Sequence, residues 1–251
     1  MKRLLPKLLR PSRPAVPLPD SVPVGAALVP LSVRHNPRAR RLVLRIAPGG
    51  DRLVVTAPPR TTTATILAFL ERHQDWAAER LGRIGSRTVV EPGATIPFRG
   101  RSLLILHEPG QRAARFEEAG ETLRLVVGGE AAHLKRRVAD VLKREARRDL
   151  QAAVDRHAEA VGLKPAAMTL KDTRSRWGSC THDRRLAFSW RIIMAPPEVL
   201  DYLAAHEVAH FRHMDHGAGF WALCRTLCPA MDEGRAWLKT HGASLHAVAF
   251  D

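Results

Sequence analysis

The segment His206-Glu207-Val208-Ala209-His210 constrains this chain more than any other. On an α-helix His206 and His210 lie one turn apart and project from the same face, and two imidazoles so placed can share one tetrahedral Zn²⁺. Glu207 follows the first histidine, so its carboxylate stands beside such an ion rather than on it. That is where a general base takes a proton from water activated by the metal. The competing reading is a surface helix with two solvated imidazoles. Val199, Leu200, Leu203, Val208 and Phe211 argue against it, because a buried, unliganded His-Glu-His set costs much to desolvate.

A catalytic zinc needs a third protein ligand and an open position. His213, Asp215, His216 and Glu233 are the candidates. His213 lies further along the helix axis. Glu233 belongs to a later helix. His216 precedes Gly217, where the chain can turn back. Spacing modestly favours His216.

Around this segment the periodicities predict an α+β chain. Residues 1–26, with Pro6, Pro11, Pro14, Pro17, Pro19 and Pro23, read as a flexible basic extension. Residues 27–128 read as a β-rich N-terminal lobe. Its strands lie between Ala27 and Ala57, at Ser102–His107 and at Thr122–Val127, and a helix over 61–82 is capped by Thr61, Thr62 or Thr63. Residues 129–251 read as the catalytic domain, opening on a long amphipathic helix from Glu130 to about Val161 that Gly162 stops. Short strands follow near Met168–Lys171 and Leu186–Met194, and Pro196-Pro197 opens the helix of the metal segment. No internal repeat is evident.

Charge and cysteine bound the partners. The net charge is +15, and residues 1–60 hold 12 basic and 2 acidic side chains, a net of +10. The excess is either a solvated tail with charged strand faces or a docking surface for a polyanion such as nucleic acid, though no base-reading motif accompanies it. Cys180, Cys224 and Cys228 are too few for a disulfide framework and read as buried thiols of a cytoplasmic protein. No apolar run reaches the roughly 20 residues of a membrane span.

Three blocks together carry a family resemblance. His206 to Trp221, HEVAHFRHMDHGAGFW, resembles the active-site signature of the YgjP-like metallopeptidases, relatives of the SprT-like zincins. Ser175 to Cys180, with Arg176-Trp177-Gly178-Ser179-Cys180, is similar to that family's R-W-G-S-C block, and Phe188 to Pro196 resembles its L-N-W-R-L-I-x-A-P run. The likeness covers about residues 30 to 240. It implies a zincin-like catalytic domain with an active-site helix and a small mixed sheet. It further implies His206, His210 and His216 as zinc ligands and Glu207 as catalytic base. Val208 stands where the family has Leu, Ser189 stands where Asn is common, and His213 is an additional imidazole.

The resulting expectation is a zinc metallopeptidase acting on a peptide or protein. Arg176, Trp177, Gly178 and Arg191 are candidates for substrate contact: Gly178 for close backbone approach, the arginines for an oxyanion or a phosphate. The strand from Leu186 to Met194 is the candidate edge on which an extended peptide pairs. Trp177, Trp190, Trp221 and Trp237 also suit a core. Two rival readings keep the same residues: hydrolysis of a phosphoanhydride in a nucleotide, or a non-enzymatic nucleic-acid-associated module.

Overall fold

Alternation in Leu53–Ala57, with Leu53, Val55 and Ala57 buried and Val54 and Thr56 half-buried, sets the two faces of the first sheet. The computed structural model describes residues 17–84, 87–120 and 122–250. The chain divides into two units, Met1–Ile46 with Arg52–Glu79, and Ala47–Asp51 with Arg80–Asp251.

The first unit holds strands β1 (Ser21–Val24), β2 (Ala27–His35), β3 (Val43–Ile46) and β4 (Leu53–Ala57), in the order β1-β2-β4-β3. β2 and β4 run parallel, and the outer pairs are antiparallel. β1 lies in the stretch expected to be an extension. Pro23 is tolerated there because β1 is an edge strand, where no second neighbour needs its missing N–H. Residues 1–16 of that expected extension lie outside the described residues. The helix expected over 61–82 is two, α1 (Thr63–Arg72) and α2 (Gln74–Ile84). His73 breaks the run, at φ −113° and ψ 13°, with its Nδ1 2.8 Å from the carbonyl oxygen of Phe69. Thr62 caps α1, its Oγ1 accepting from the amide of Thr65 at 3.2 Å.

The second unit opens with β5 (Thr88–Val89) and a second four-stranded sheet of β6 (Thr95–Phe98), β7 (Arg101–His107), β8 (Arg115–Ala119) and β9 (Thr122–Val127). Its order, β6-β7-β9-β8, with a parallel pair flanked by antiparallel ones, repeats the plan of the first sheet. The sequence hid this repeat, and it hid β6 and β8. β6 carries Pro97 and β8 reads Arg-Phe-Glu-Glu-Ala, both edge-strand features rather than apolar alternation.

The long helix α3 (Leu134–Val161) follows and ends at Gly162, whose φ of 70° suits glycine. Its buried stripe includes Leu134, Val138, Leu142, Ala146, Leu150 and Val154. It shares one core with Ile96, Phe98, Leu103 and Leu125 of the second sheet and with Ile193, Val199 and Val208. That core runs without a break from the second sheet through α3 to α4.

The remaining elements are β10 (Ala167–Lys171), β11 (Gly178–Cys180), β12 (Arg185–Ser189), α4 (Pro197–Ala209), α5 (Ala218–Leu227), α6 (Met231–Leu245) and β13 (Val248–Ala249), which pairs with β5. The three-stranded sheet has the order β10-β12-β11. The strand expected at Leu186–Met194 is thus corrected twice. It ends at Ser189, where the buried run Trp190–Met194 winds into a 3-10 turn, and it lies in the middle of the sheet. The free edge beside the metal segment is β11. Among the described residues no helix is long and apolar enough to cross a membrane.

Candidate metal centre

α4 opens on Pro196-Pro197, where proline costs nothing, and buries Val199, Leu200, Leu203, Ala204 and Val208. That anchoring leaves His206 and Glu207 on its last turn. The helix ends at Ala209, with His210 as its C-cap, so residues 210–212 form a turn rather than continue the helical face. Gly217 caps α5, and the short link between the two helices carries His216 back toward α4.

The candidate ligand atoms of His206, His210 and His216 lie within 4.8 Å of one another, the one group of three such side chains among the described residues. His206 Nε2 and His216 Nε2 stand 3.0 Å apart. His213, Asp215 and Glu233, the other candidates for third ligand, are not in the group. His213 contributes through its backbone: its carbonyl oxygen lies 2.9 Å from His210 Nδ1, which orients that ring and leaves Nε2 for an ion.

Burial, then the like charge of the neighbouring imidazoles and of Arg235, pushes His206 down to about 4, and burial also lowers His210. Both rings are therefore neutral at pH 7, the form that binds a metal. Phe220 lies 4.9 Å from His206, 4.6 Å from His210 and 4.6 Å from His216, centroid to centroid, and Trp221 backs His206 and His216. Tyr202 meets His206 edge-on at 5.9 Å. Three imidazoles facing one point, held by aromatic rings, suit a transition-metal cation.

Glu207 is 4% exposed. Burial raises its carboxyl to about 8, against the opposing pull of Arg176. Gly178, at the head of β11, packs directly on that carboxyl. A Cβ at Gly178 would overlap Glu207 Oε1 and stand 2.8 Å from its Cγ and Cδ. The glycine expected to admit substrate is thus required by the Glu207 side chain itself. Cys180, two residues on, is held un-ionised, its thiol pushed up to about 11 by burial and then by the charge of Glu207.

The substrate candidates separate. Arg176 is exposed and close enough to act on Glu207 electrostatically. Trp177 stacks on His246 at 4.9 Å and passes its carbonyl to the amide of Ser189. Arg191 is engaged elsewhere. Nε donates to Asp172 at 2.6 Å and Nη1 to the carbonyls of Leu245 and Val248, and the guanidinium lies 5.0 Å from the Trp190 ring centroid. The Oγ of Ser189 is buried without a hydrogen-bond partner among the described residues. Sequence reasoning missed Tyr202, Arg235 and His246. Tyr202 was findable, since it precedes His206 by four residues on the same helix. The other two approach from α6 and its C-cap, with no spacing to betray them.

A family model described as YgjP-like, metallopeptidase domain, matches residues 40–241. No curated protein matches the sequence. The crystal structure of the metallopeptidase zymogen of Pyrococcus abyssi abylysin aligns over 36% of this chain and 93% of that one, at 14% identity and a TM-score of 0.33, a likeness too slight to carry any argument.

Proposed function

This chain belongs to the YgjP-like metallopeptidase family, and from that premise we propose that it is a zinc-dependent peptidase with His206, His210 and His216 as ligands and Glu207 as general base. The observation that carries the reading is the convergence of three imidazoles beside one buried carboxyl. Zinc held there supplies a Lewis acid for water and for the scissile carbonyl.

Glu207 takes the proton of the attacking water and hands it to the leaving nitrogen. The positive charge of Arg176 opposes the burial that raises the Glu207 carboxyl and so favours the ionised form, the one able to accept a proton. Arg176, exposed beside Glu207, faces the negative charge that develops on the carbonyl oxygen. The outer edge of β11 offers backbone groups to an extended peptide, and Trp177 and Gly178 form its start. Arg191 supports the site from behind by tying the 3-10 turn to the C-terminal residues. Three free thiols, two of them buried, fit a reducing cytoplasm.

Metal analysis beside a peptide-cleavage assay tests the reading. The wild type should carry one zinc per chain and cleave casein-derived peptides. His216→Ala should lose metal, whereas Glu207→Gln should keep it and lose turnover. Full cleavage by Glu207→Gln would end the proton-transfer role. Hydrolysis of nucleoside triphosphates without peptide cleavage would move the chemistry to a phosphoanhydride.

A further inference from the structure

We propose that the first unit binds single-stranded nucleic acid along the edge strand β3 and the aromatic cleft beside it. Arg34, Arg38, Arg40, Arg41 and Arg45 are all exposed, and among the described residues none of their guanidinium groups has an ion-pair or hydrogen-bond partner. The fold itself does not require this. The second sheet has the same strand order, and there Arg101 pairs with Glu118 at 3.0 Å and Arg115 with Glu108 and Glu117 at 3.1 and 2.7 Å. β8 supplies Glu117 and Glu118 and the end of β7 is followed by Glu108, whereas β3, the counterpart of β8, reads Val-Leu-Arg-Ile and supplies none.

The register places the arginines usefully. Arg34 and Arg45 pair with Thr56 and Val54, on the face opposite the buried Leu53, Val55 and Ala57. Arg41 leaves that face for the edge, where it lines a cleft of about 280 Å³ with Leu42, Val43, Phe69, His73 and Trp76. Trp76 is 43% exposed, one of four large apolar side chains exposed among the described residues. Guanidinium groups unmatched by carboxylates suit phosphates. A partly open indole in a cleft at the end of that row suits an unpaired base, which stacks on an aromatic face irrespective of sequence. A duplex keeps its bases stacked inside and has no use for the indole. A membrane surface would use the arginines, yet binds through an apolar helix face rather than a cleft. The proposal is independent of the metal centre.

Fluorescence anisotropy of the full chain with labelled dT20 and U20 tests it, the two oligonucleotides showing which sugar is preferred. Binding should weaken with salt, and five phosphate contacts set the slope of log affinity against log salt at about −3.5. Arg41→Glu with Arg45→Glu should reduce that slope by about 1.4, while the basic residues at 1–13 stay present in both proteins. Trp76→Ala should weaken binding roughly 5- to 150-fold, the range for one lost base stack. Trp76→Phe should retain most of the affinity. Melting curves of each variant check the fold. The proposal is overturned if folded Trp76→Ala binds like wild type, if polyphosphate binds as tightly as dT20, or if phosphatidylserine vesicles bind and neither oligonucleotide does.

Discussion

Gly178→Ala should disable the site without unfolding it or emptying it of metal. The three heavy atoms nearest a Cβ at this position are Oε1, Cδ and Cγ of Glu207, two of them at 2.8 Å. Ordinary carbon contacts lie at about 3.5–4.0 Å, so the carboxyl must retreat by roughly 1 Å. A misplacement of about 1 Å can cost about 10²-fold in rate, or about 2.7 kcal/mol of barrier. None of those three atoms belongs to a histidine, so zinc content should remain at the wild-type level. The strand gains a residue with less entropy to lose, which offsets part of the overpacking against the buried Glu207 side chain, so the protein should stay folded with a Tm no more than modestly below wild type. The assay is kcat on a quenched fluorescent peptide, with zinc measured on the same samples. Gly82→Ala, which meets nothing within 4 Å, serves as the neutral control. A Gly178→Ala protein with wild-type kcat and full zinc would refute the argument that Glu207 must stay where this glycine lets it stand.

Three further outcomes follow from the packing. Gly234→Ala puts a Cβ 2.6 Å from Tyr202 Cβ where α6 crosses α4, so overpacking should lower stability by about 1–3 kcal/mol, read as a fall in Tm, and should loosen zinc through the Tyr202–His206 contact. Arg191→Ala removes charged donors to the buried carbonyls of Leu245 and Val248. It should cost about 2–3 kcal/mol by denaturant unfolding, and Arg191→Lys should not restore it, since one ammonium lacks the guanidinium fork. Burial, and then the charges of Arg191 and Arg174, push His246 down to about 4, whereas an unfolded histidine titrates near 6.5. Below 6.5 the unfolded chain binds the extra proton, so this contribution is present above 6.5 and lost as pH falls toward 4. The Tm of metal-free protein should drop over that window, and His246→Gln should make the drop shallower. An unchanged slope would remove His246 from the account.

Where local pattern and burial coincide, the sequence was sufficient. α3 was legible because its 3.6-residue apolar period runs for seven turns, and Gly162 ends it with a backbone angle that favours glycine. His206, Glu207 and His210 were legible because a single helical turn relates them. The third imidazole was legible only as a preference among four candidates, since a turn through Gly217 can aim a side chain several ways.

What the tertiary structure alone decided involves neighbours distant in sequence. Gly178 meets Glu207 across β11 and α4, twenty-nine positions apart, and no local periodicity encodes that distance. Arg191 looks available in the sequence and is taken by Asp172 and two C-terminal carbonyls in the fold. The edge beside the site passed from the apolar β12 to the three-residue β11, because a strand with neighbours on both sides buries its apolar residues and leaves the free edge to a shorter one. The repeated sheet plan stayed hidden for a related reason. Strand order is a property of pairing, and edge strands such as β6 and β8 carry prolines and charges instead of the alternation by which a strand is read.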